Sequence, residues 1–235
     1  VDAEIVPNMD KARVIVCVDA DPLGADKLSL FHTPRYAGHR TPTSKDPHMS
    51  TLIVAEAQYS LTGSNADVRT KLEPSQVEPY LAVIEQIVAG GTAIGGACAA
   101  DATPETKAKA QQAAEALMTA RGEALVMAGR HLSPHGHAIA LNINAALDSV
   151  GAGKPVDPAQ TVPNSGIKSD AIDQLRSDLK AARVHALVFC DVNPEYSADR
   201  DFRLAMVKAP VRAAINLYED ETASTCDISI PGSHW

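Results

Sequence analysis

Polar side chains follow several apolar runs of the chain, at points where buried strands of a parallel sheet are predicted to end. Each run is followed in the chain by polar or small residues: 14–18 by Asp21, 52–55 by Thr62 and Gly63, 186–190 by Asn193, and 213–217 by Thr222. Because open α/β sheets bind ligands at the carboxyl ends of their strands, these residues are candidates for a binding site. Carboxylates there could perform acid–base chemistry, although Asp and Asn at strand ends also form turns with their own backbone.

Two loops could contact a phosphate. Arg130 follows the apolar run at 124–129 and could bind a phosphate or carboxylate through two N–H donors; an exposed loop is the alternative. Thr62 and Gly63 could contact a phosphate or a pterin, since Gly permits close backbone approach. No G-x-G-x-x-G and no P-loop is present. The candidate cofactor-binding residues are therefore Asp21, Thr62, Gly63, Arg130, Asn193 and Thr222, and no catalytic residue is assigned.

The histidines and cysteines do not predict a metal site. His131, His135 and His137 lie close in sequence, but Ser133-Pro134 places a helix start among them and no carboxylate completes a ligand set. The cysteines are widely spaced and form no C-x-x-C, which argues against a local zinc or iron–sulfur site; they are Cys17, Cys98, Cys190 and Cys226. Cys17 and Cys190 lie within apolar runs and are expected to be small buried hydrophobic residues.

Composition restricts the function classes. The chain has 235 residues and a net charge of −8, so a nucleic-acid partner is not expected. No apolar run reaches the roughly 20 residues of a membrane span, so direct membrane insertion is not expected either. The chain begins at Val1 without a signal-like segment or an initiator Met, which suggests a processed or trimmed product. Aromatic residues are only 4%, so Ala, Val, Ile and Leu must build the core.

Strand-like and helix-like patterns alternate along almost the whole chain. This alternation predicts an α/β fold of mostly parallel sheets with helices on both faces, in one or two Rossmann-like lobes. We predict a first lobe over 1–100 and a second over 101–235, the latter holding the strands near Leu125, Leu187 and Ile215. The run at 186–190 is expected to be buried on both faces. Residues 28–49 are expected to be irregular, with at most a short helix.

Helix boundaries are predicted from capping residues. Ser75 and Glu78 have capping-box spacing before a helix that ends at Gly90-Gly91. Thr103-Pro104 and Ser133-Pro134 each place an N-cap before a proline at the first helical position. Asp170 is expected to cap a helix that directs Ile172, Leu175 and Leu179 inward.

Two parts of the chain repeat one pattern. In the first, a strand ends at Asp21-Pro22 and a later strand leads to Thr62 and Asp67; in the second, the corresponding residues are Asn193-Pro194, Thr222 and Asp227. Asp lies five positions after Thr in both copies. We interpret them as two similar βαβ units, with chance similarity as the alternative. After Asp67 the first copy continues with polar residues 68–71, exposed in pattern, whereas 228–231 alternates like a strand.

The second copy carries a family resemblance. Residues 189–194, ending in Asn193-Pro194, then Glu221-Thr222-Ala223 and the segment 226–231, resemble the molybdopterin oxidoreductase superfamily. Cys226 stands where that superfamily usually has Ala, and Ile230 where it usually has Leu. With residues 18–24 and 60–69 of the first copy, the chain resembles a narrower group, the molybdopterin-like region of the large iron–sulfur subunit (B subunit) of bacterial alternative complex III, a quinol:electron acceptor oxidoreductase.

The resemblance implies a scaffold. In that subunit a molybdopterin-like region without molybdenum cofactor precedes a ferredoxin-like domain that carries iron–sulfur clusters. This chain has no cluster motif, so the resemblance implies a fragment, or a reduced paralogue, of the scaffold region. Such a chain is without cofactor and not catalytic alone, and the clusters belong to the remainder of the subunit. The implied partners are the ferredoxin-like domain and other subunits of a membrane-bound respiratory complex. The implied location is the periplasmic side, peripheral to the inner membrane.

Two alternatives remain open. A catalytic molybdopterin-dependent fragment would need a metal-ligating Cys, selenocysteine, Ser or Asp in a recognisable setting, and none is evident. A small-molecule enzyme on a Rossmann-like domain would ordinarily carry a glycine fingerprint, which is lacking.

Overall fold

The fold is taken from a computed structural model, which describes residues 3–42, 44, 47–163 and 170–233. The described residues divide into two compact units, 3–163 and 170–233. The division therefore lies near residue 163 and not at the expected residue 100. The reason is that the strand at Ala124–Ala128, which we assigned to the second lobe, pairs with the strand at Val14–Val18.

The described residues form nine strands and ten α-helices, besides three short 3-10 helices. The strands are β1 (Ala3–Ile5), β2 (Val14–Val18), β3 (Thr51–Glu56), β4 (Val68–Lys71), β5 (Ala124–Ala128), β6 (Thr161–Pro163), β7 (Ala186–Cys190), β8 (Val211–Asn216) and β9 (Ile228–Pro231). The helices are α1 (Ser29–Gly38), α2 (Leu61–Ser64), α3 (Val77–Ala89), α4 (Gly96–Ala100), α5 (Pro104–Thr119), α6 (Pro134–Ala146), α7 (Ala171–Lys180), α8 (Pro194–Ser197), α9 (Arg200–Met206) and α10 (Glu221–Thr225).

The first unit is built on a parallel sheet with the strand order β4-β3-β2-β5. The order reverses between β2 and β5, since β3 and β4 extend the sheet on one side of β2 and β5 joins it on the other. The crevice outside the carboxyl ends of two such strands is the usual ligand position in open α/β sheets. The short strands β1 and β6 form a separate antiparallel pair.

Helices cover both faces of this first sheet. On one face Val14, Val16 and Val18 pack in a core with side chains of α3, α5 and α6. On the other, Ile15 and Cys17 pack in a second core that includes Tyr36 of α1. Because side chains alternate along a strand, the uninterrupted apolar sequence of β2 supplies both cores.

The second unit has a three-stranded parallel sheet with the order β7-β8-β9. Its core lies on one face, where Phe189 and Ala214 pack with Leu179 of α7 and with Phe202 of α9. On the opposite face Val188 is 56% exposed. The α/β class with parallel sheets is confirmed, whereas the expectation that 186–190 is buried on both faces is wrong.

Several local predictions are confirmed. Thr103 accepts a hydrogen bond from Thr106 N–H at the start of α5, and Ser133 accepts one from Gly136 N–H at the start of α6. The expectation of an irregular segment with at most a short helix holds less well, because ten of the residues in 28–49 form the helix α1, which contains Pro34.

Other local predictions are wrong. Ser75 does not cap α3; Glu78 instead accepts hydrogen bonds from the backbone and hydroxyl of Ser133. Residues 68–71 are largely exposed as expected, but they form an edge strand, β4, which their polar sequence did not predict. Asp170 precedes α7 without a side-chain cap, and Ile172 is exposed. Cys190 is exposed as well, because it lies on the uncovered face of β7.

Candidate functional site

Three of the four predicted site residues of the first unit meet at the ends of β2 and β3, namely Asp21, Thr62 and Gly63. Thr62 Oγ1 donates a hydrogen bond to Asp21 Oδ1 at 2.6 Å, and Thr62 N–H donates to the same oxygen at 2.9 Å. Leu23 N–H donates to Thr62 Oγ1 at 3.0 Å, and the Thr62 side chain is fully buried. We name Asp21, Leu23 and Thr62 the first strand-end cluster.

The carboxylate of this cluster is held in its charged form. Burial raises the pKa of Asp21, but the hydrogen bonds from the Thr62 hydroxyl and from the backbone N–H groups of Ala25 and Thr62 outweigh it, so the pKa lies below its usual value. The second oxygen of Asp21 accepts from Ala25 N–H at 2.8 Å. Asp21 therefore closes the loop after β2 and connects it to α2.

The second unit repeats this arrangement. Thr222 Oγ1 donates to Asn193 Oδ1 at 2.8 Å, and Glu195 N–H donates to Thr222 Oγ1 at 3.0 Å. Asn193, Glu195 and Thr222 are the second strand-end cluster. Here an amide replaces the carboxylate, and Asn193 Nδ2 donates to Glu221 Oε2 at 2.6 Å.

Further contacts repeat around both clusters. Asp67 N–H donates to the backbone oxygen of Leu52, and Leu52 N–H donates to Asp67 Oδ2. Asp227 and Arg212 form the same two hydrogen bonds. Asp19 and Asp191, which follow β2 and β7, both have φ of 51° and both donate their N–H to the neighbouring strand. The sequence similarity of the two copies is therefore a structural repeat of two βαβ units, and chance is rejected as its explanation.

Gly63 permits close approach, but of a protein side chain. A Cβ on Gly63 would lie 2.0 Å from Glu56 Oε1. Glu56 is buried, forms an ion pair with Arg69 at 2.6 Å and accepts from the Ser60 hydroxyl at 2.5 Å. The Ser60 hydroxyl in turn accepts from Gly63 N–H. In the second unit Asn216, Asp220 and Ala223 take the places of Glu56, Ser60 and Gly63, and the shorter Asn216 leaves room for a methyl group.

The loops after β2 and β5 touch where the strand order reverses. A Cβ on Gly129 would lie 1.9 Å from the backbone oxygen of Asp19, so only Gly fits there. Asp19 Oδ1 accepts from Ala57 N–H at 2.9 Å, and Asp19 Oδ2 accepts from His131 Nε2 at 2.6 Å. Both oxygens of Asp19 are thus occupied by protein donors.

An acidic cleft of about 1080 Å³ lies beside these loops in the first unit. Its lining includes carboxylates from several elements: Asp19, Asp21, Asp26, Glu56, Glu78 and Asp101. Among the described lining residues, Arg130 and His131 are the basic side chains. Burial, with Glu78 and Asp101 nearby, raises the pKa of the Cys98 thiol on the same wall, as expected in a field of negative sign.

A pterin cofactor with phosphate groups does not fit this donor set. Phosphates are bound by Arg, Lys and free backbone N–H groups. The cleft places one Arg and one His against six carboxylates, and the N–H of Gly63 is already bonded to Ser60. Described residues contain no group of three or more His, Cys, Asp or Glu side chains arranged for a metal ion.

The structure thus brings the predicted residues together in two separate sets. Asp21, Thr62 and Gly63 adjoin in the first unit, with Arg130 exposed on the cleft wall, whereas Asn193 and Thr222 bond to each other in the second. The sequence alone does not show that Asp19 pairs with His131, or that the Glu56 carboxylate fills the space beside Gly63. Asp19 directly follows β2, and His131 lies two residues after Gly129. Only the strand order, which places β5 beside β2, shows that these two side chains are close.

No helix among the described residues combines the length and hydropathy needed to cross a bilayer. No protein-family model matches the chain, and no curated protein sequence is similar to it. Among solved structures, a chain of the crystal structure of the formyltransferase/hydrolase complex (FhcABCD) from Methylorubrum extorquens in complex with methylofuran is similar at 12% identity and a TM-score of 0.34. The match covers 96% of this chain and 63% of that one, and at this level it carries no conclusion about fold or function.

Proposed function

We propose that this chain is a scaffold module of a molybdopterin-oxidoreductase-like, iron–sulfur subunit in a respiratory electron-transfer complex, similar to the B subunit of alternative complex III. The module itself holds neither a cluster nor a molybdenum cofactor and is not catalytic alone. Electron transfer belongs to a ferredoxin-like domain of the same subunit, and the module docks that domain and neighbouring subunits. The complex lies on the periplasmic side of the inner membrane, to which this module is peripheral.

The observation that carries this proposal is the strand-end cluster, which occurs in both units at the residues of the family resemblance. The polar groups that a cofactor-binding relative would turn toward its ligand are bonded here to each other: Asp21 to Thr62, and Asn193 to Thr222. Such contacts hold two strands and a short helix in register, which is a structural role.

The charge of the cleft supports the same proposal. The six carboxylates that line it repel a phosphate-bearing pterin. Their repulsion of one another is reduced by donors within the protein, such as Arg69 beside Glu56 and Ser133 beside Glu78. A cleft with the position of a cofactor site and the opposite charge is consistent with a family member that no longer binds the cofactor.

Metal and pterin analysis of the full-length natural protein tests the proposal. The purified complex is analysed for iron and molybdenum and, after oxidation, for pterin fluorescence, with a molybdopterin enzyme prepared in parallel as a positive control. We expect iron without molybdenum or pterin. Stoichiometric pterin would overturn the proposal in favour of a catalytic molybdopterin-dependent oxidoreductase. The recombinant chain alone should contain no metal and show no turnover.

One observation favours a second function, that of a Rossmann-like small-molecule-binding enzyme. Asp19 orients the exposed imidazole of His131 at the point where the strand order reverses, and a carboxylate–imidazole pair is suited to general acid–base chemistry. Thermal unfolding of the chain with NAD⁺, GTP, adenosine and putrescine separates the two functions. A saturable increase in Tm that His131→Gln abolishes would support the enzyme; no shift with any of the four is expected for the scaffold.

A further inference from the structure

Helix α1 of the first unit is weakly supported by its own sequence. It contains Pro34, which has no N–H to donate to the carbonyl of Leu30, and its first turn has neither a side-chain cap nor an acidic residue. The buried residues of this helix are His32 and Tyr36, whereas Leu30 is 92% exposed. A ten-residue helix with these features stays formed through its tertiary contacts, and one of its two buried side chains is an imidazole.

The imidazole of His32 lies in a site that suits its neutral form. The residue is 3% exposed, and Nδ1 has no hydrogen-bond partner among the described residues. Phe31 meets the imidazole edge-on, with ring centroids 5.4 Å apart. Arg35, one turn later, stacks over the ring of Phe31 at 3.4 Å. Protonation would therefore bury a charge and an unpaired N–H donor close to a guanidinium, near the positive end of the helix.

The groups around α1 do not offset this cost. Burial and the charge of Arg35 place the pKa of His32 below its ordinary value of 6.5. Burial raises the pKa of both Cys17 and Tyr36 in the same core, so both are uncharged near neutral pH. The carboxylates around α1 already have partners: Asp10 has Arg35 and Lys11, Asp26 has the N–H of Asp21, and Asp67 has Arg40.

The second half of α1 is anchored by other contacts. Tyr36 Oη donates a hydrogen bond to the backbone oxygen of Asn65 at 3.4 Å. Arg40, directly after the helix, donates to the two carboxylate oxygens of Asp67 at 2.7 and 2.8 Å. The anchored half and the half that carries His32 meet at Pro34, where the helix lacks a backbone hydrogen bond.

We propose that the first half of α1, residues 29–33, is a latch that detaches from the first unit when His32 takes up a proton and closes again when His32 is neutral. Detachment brings the charged imidazole into water and uncovers the part of the second core that these residues cover. Pro34 is the hinge, and Tyr36 and Arg40 hold the remainder of the segment in place. The latch depends on α1 alone and is independent of the proposed respiratory function.

Linkage fixes the direction of the pH dependence. Well above pH 6.5 His32 is neutral in both forms, and the latch is closed. As the pH falls below 6.5, the detached form binds a proton more readily than the attached form. Detachment therefore becomes more favourable by up to about tenfold per pH unit, until the pH reaches the lower pKa of the attached form.

Hydrogen exchange of the whole chain, measured by NMR at the amides of Phe31, His32 and Thr33, tests the latch. After correction for the intrinsic exchange rate, we expect their protection to fall at least about fivefold between about pH 7.5 and about pH 5.5. His32→Phe keeps a buried ring without a proton-binding nitrogen and should abolish this fall. His39→Gln, at the end of the same helix, is the matched control and should preserve it.

Two results of this experiment would overturn the proposal. A fall of equal size in His32→Phe would show that another group titrates, and constant protection in the unsubstituted chain would show that α1 stays attached. An NMR titration of the His32 imidazole carbons decides the question even if His32→Phe does not fold. A pKa below 6.5, with signals of residues 29–33 changing at the same midpoint, supports the latch, whereas a pKa at or above 6.5 contradicts it.

Discussion

The two repeated units share their strand-end hydrogen bonds and differ in what surrounds their sheets. In both, a threonine hydroxyl donates to the side chain of the residue before a proline. The same hydroxyl accepts from the backbone N–H of the residue after that proline. Yet Val16 is fully buried and its counterpart Val188 is 56% exposed. Contacts within a βαβ unit are thus set by its own residues, whereas burial of a sheet face depends on segments that follow in the chain or come from elsewhere.

The residues around the two clusters differ in a correlated way. The first unit combines the long Glu56 with Gly63, whereas the second combines the shorter Asn216 with Ala223. A Cβ on Gly24 would lie 2.3 Å from Asp21 Oδ2, while Tyr196 occupies the corresponding position beside Asn193 and is exposed. A carboxylate that turns back onto its own loop requires glycine there; an amide that turns toward Glu221 does not.

The largest contrast is expected for a charge placed on the sheet face. Val16→Asp buries an unpaired carboxylate among α3, α5 and α6 and should cost more than about 4 kcal/mol, enough to unfold the first unit. Val188→Asp in the isolated chain should cost less than about 1 kcal/mol, because the side chain remains in water. Urea denaturation followed by circular dichroism measures both. A large loss for Val188→Asp would mean that the face is covered within the chain.

Removal of the threonine hydroxyl tests whether charge strengthens the cluster. Thr62→Val removes one of the two donors to Asp21 Oδ1 and the acceptor of Leu23 N–H, and should cost about 2–4 kcal/mol. Thr222→Val removes the donor to the neutral amide oxygen of Asn193 and the acceptor of Glu195 N–H, and should cost about 1–2 kcal/mol. Hydrogen exchange read by mass spectrometry reports each unit separately. Equal losses in both units would show that the charge of Asp21 contributes nothing.

A double-mutant cycle tests the correlation between positions 56 and 63. Gly63→Ala alone should cost about 1–3 kcal/mol, because the methyl group displaces Glu56 from its contacts. Combination with Glu56→Asn, which reproduces the second unit, should cost less than the sum of the single changes, giving a favourable coupling energy. Ala223→Gly, the reverse change in the second unit, should cost only about 1 kcal/mol by helix propensity. Additive losses at 56 and 63 would contradict the steric explanation.

The smallest expected effect is a difference in acid sensitivity. The pKa of Asp21 is lower in the folded chain than its ordinary 3.8, so its contribution is complete above that value and is lost as the pH falls through the lower folded pKa. Asn193 does not titrate. Urea midpoints measured from about pH 5 to about pH 2 should therefore fall less steeply for Asp21→Asn than for the unsubstituted chain. Parallel curves would indicate that Asp21 is not stabilised as a carboxylate.

Much of the fold was predictable because it is encoded locally. The strands at residues 14–18 and 124–128, the caps Thr103 and Ser133, and the repeat of Asp21 and Asn193 all follow from patterns within a few residues. The errors have non-local causes. The sequence of β4 is polar because it lies at a sheet edge, and Glu78 bonds to Ser133, which is distant in sequence, instead of capping its own helix.

The candidate site shows the same limit. Types and spacing identified Asp21 and Thr62, and Asn193 and Thr222, as strand-end residues, but not that each pair consists of hydrogen-bonded partners. Asp19 and His131 are brought together only by the strand order, which places β5 beside β2. A carboxylate looks the same in sequence whether it faces a ligand or a neighbouring hydroxyl.

By itself the sequence determined the α/β class, the two βαβ repeats and the polar residues at their strand ends, because hydrophobic periodicity and turn chemistry act over a few residues. Tertiary structure alone decided where the units divide, that the strand-end groups bond to each other, and that the run at 186–190 is covered on one face only. The physical reason is that burial and hydrogen-bond partners are supplied by residues far along the chain, or by another chain, and an apolar strand has the same sequence whether or not its cover is present.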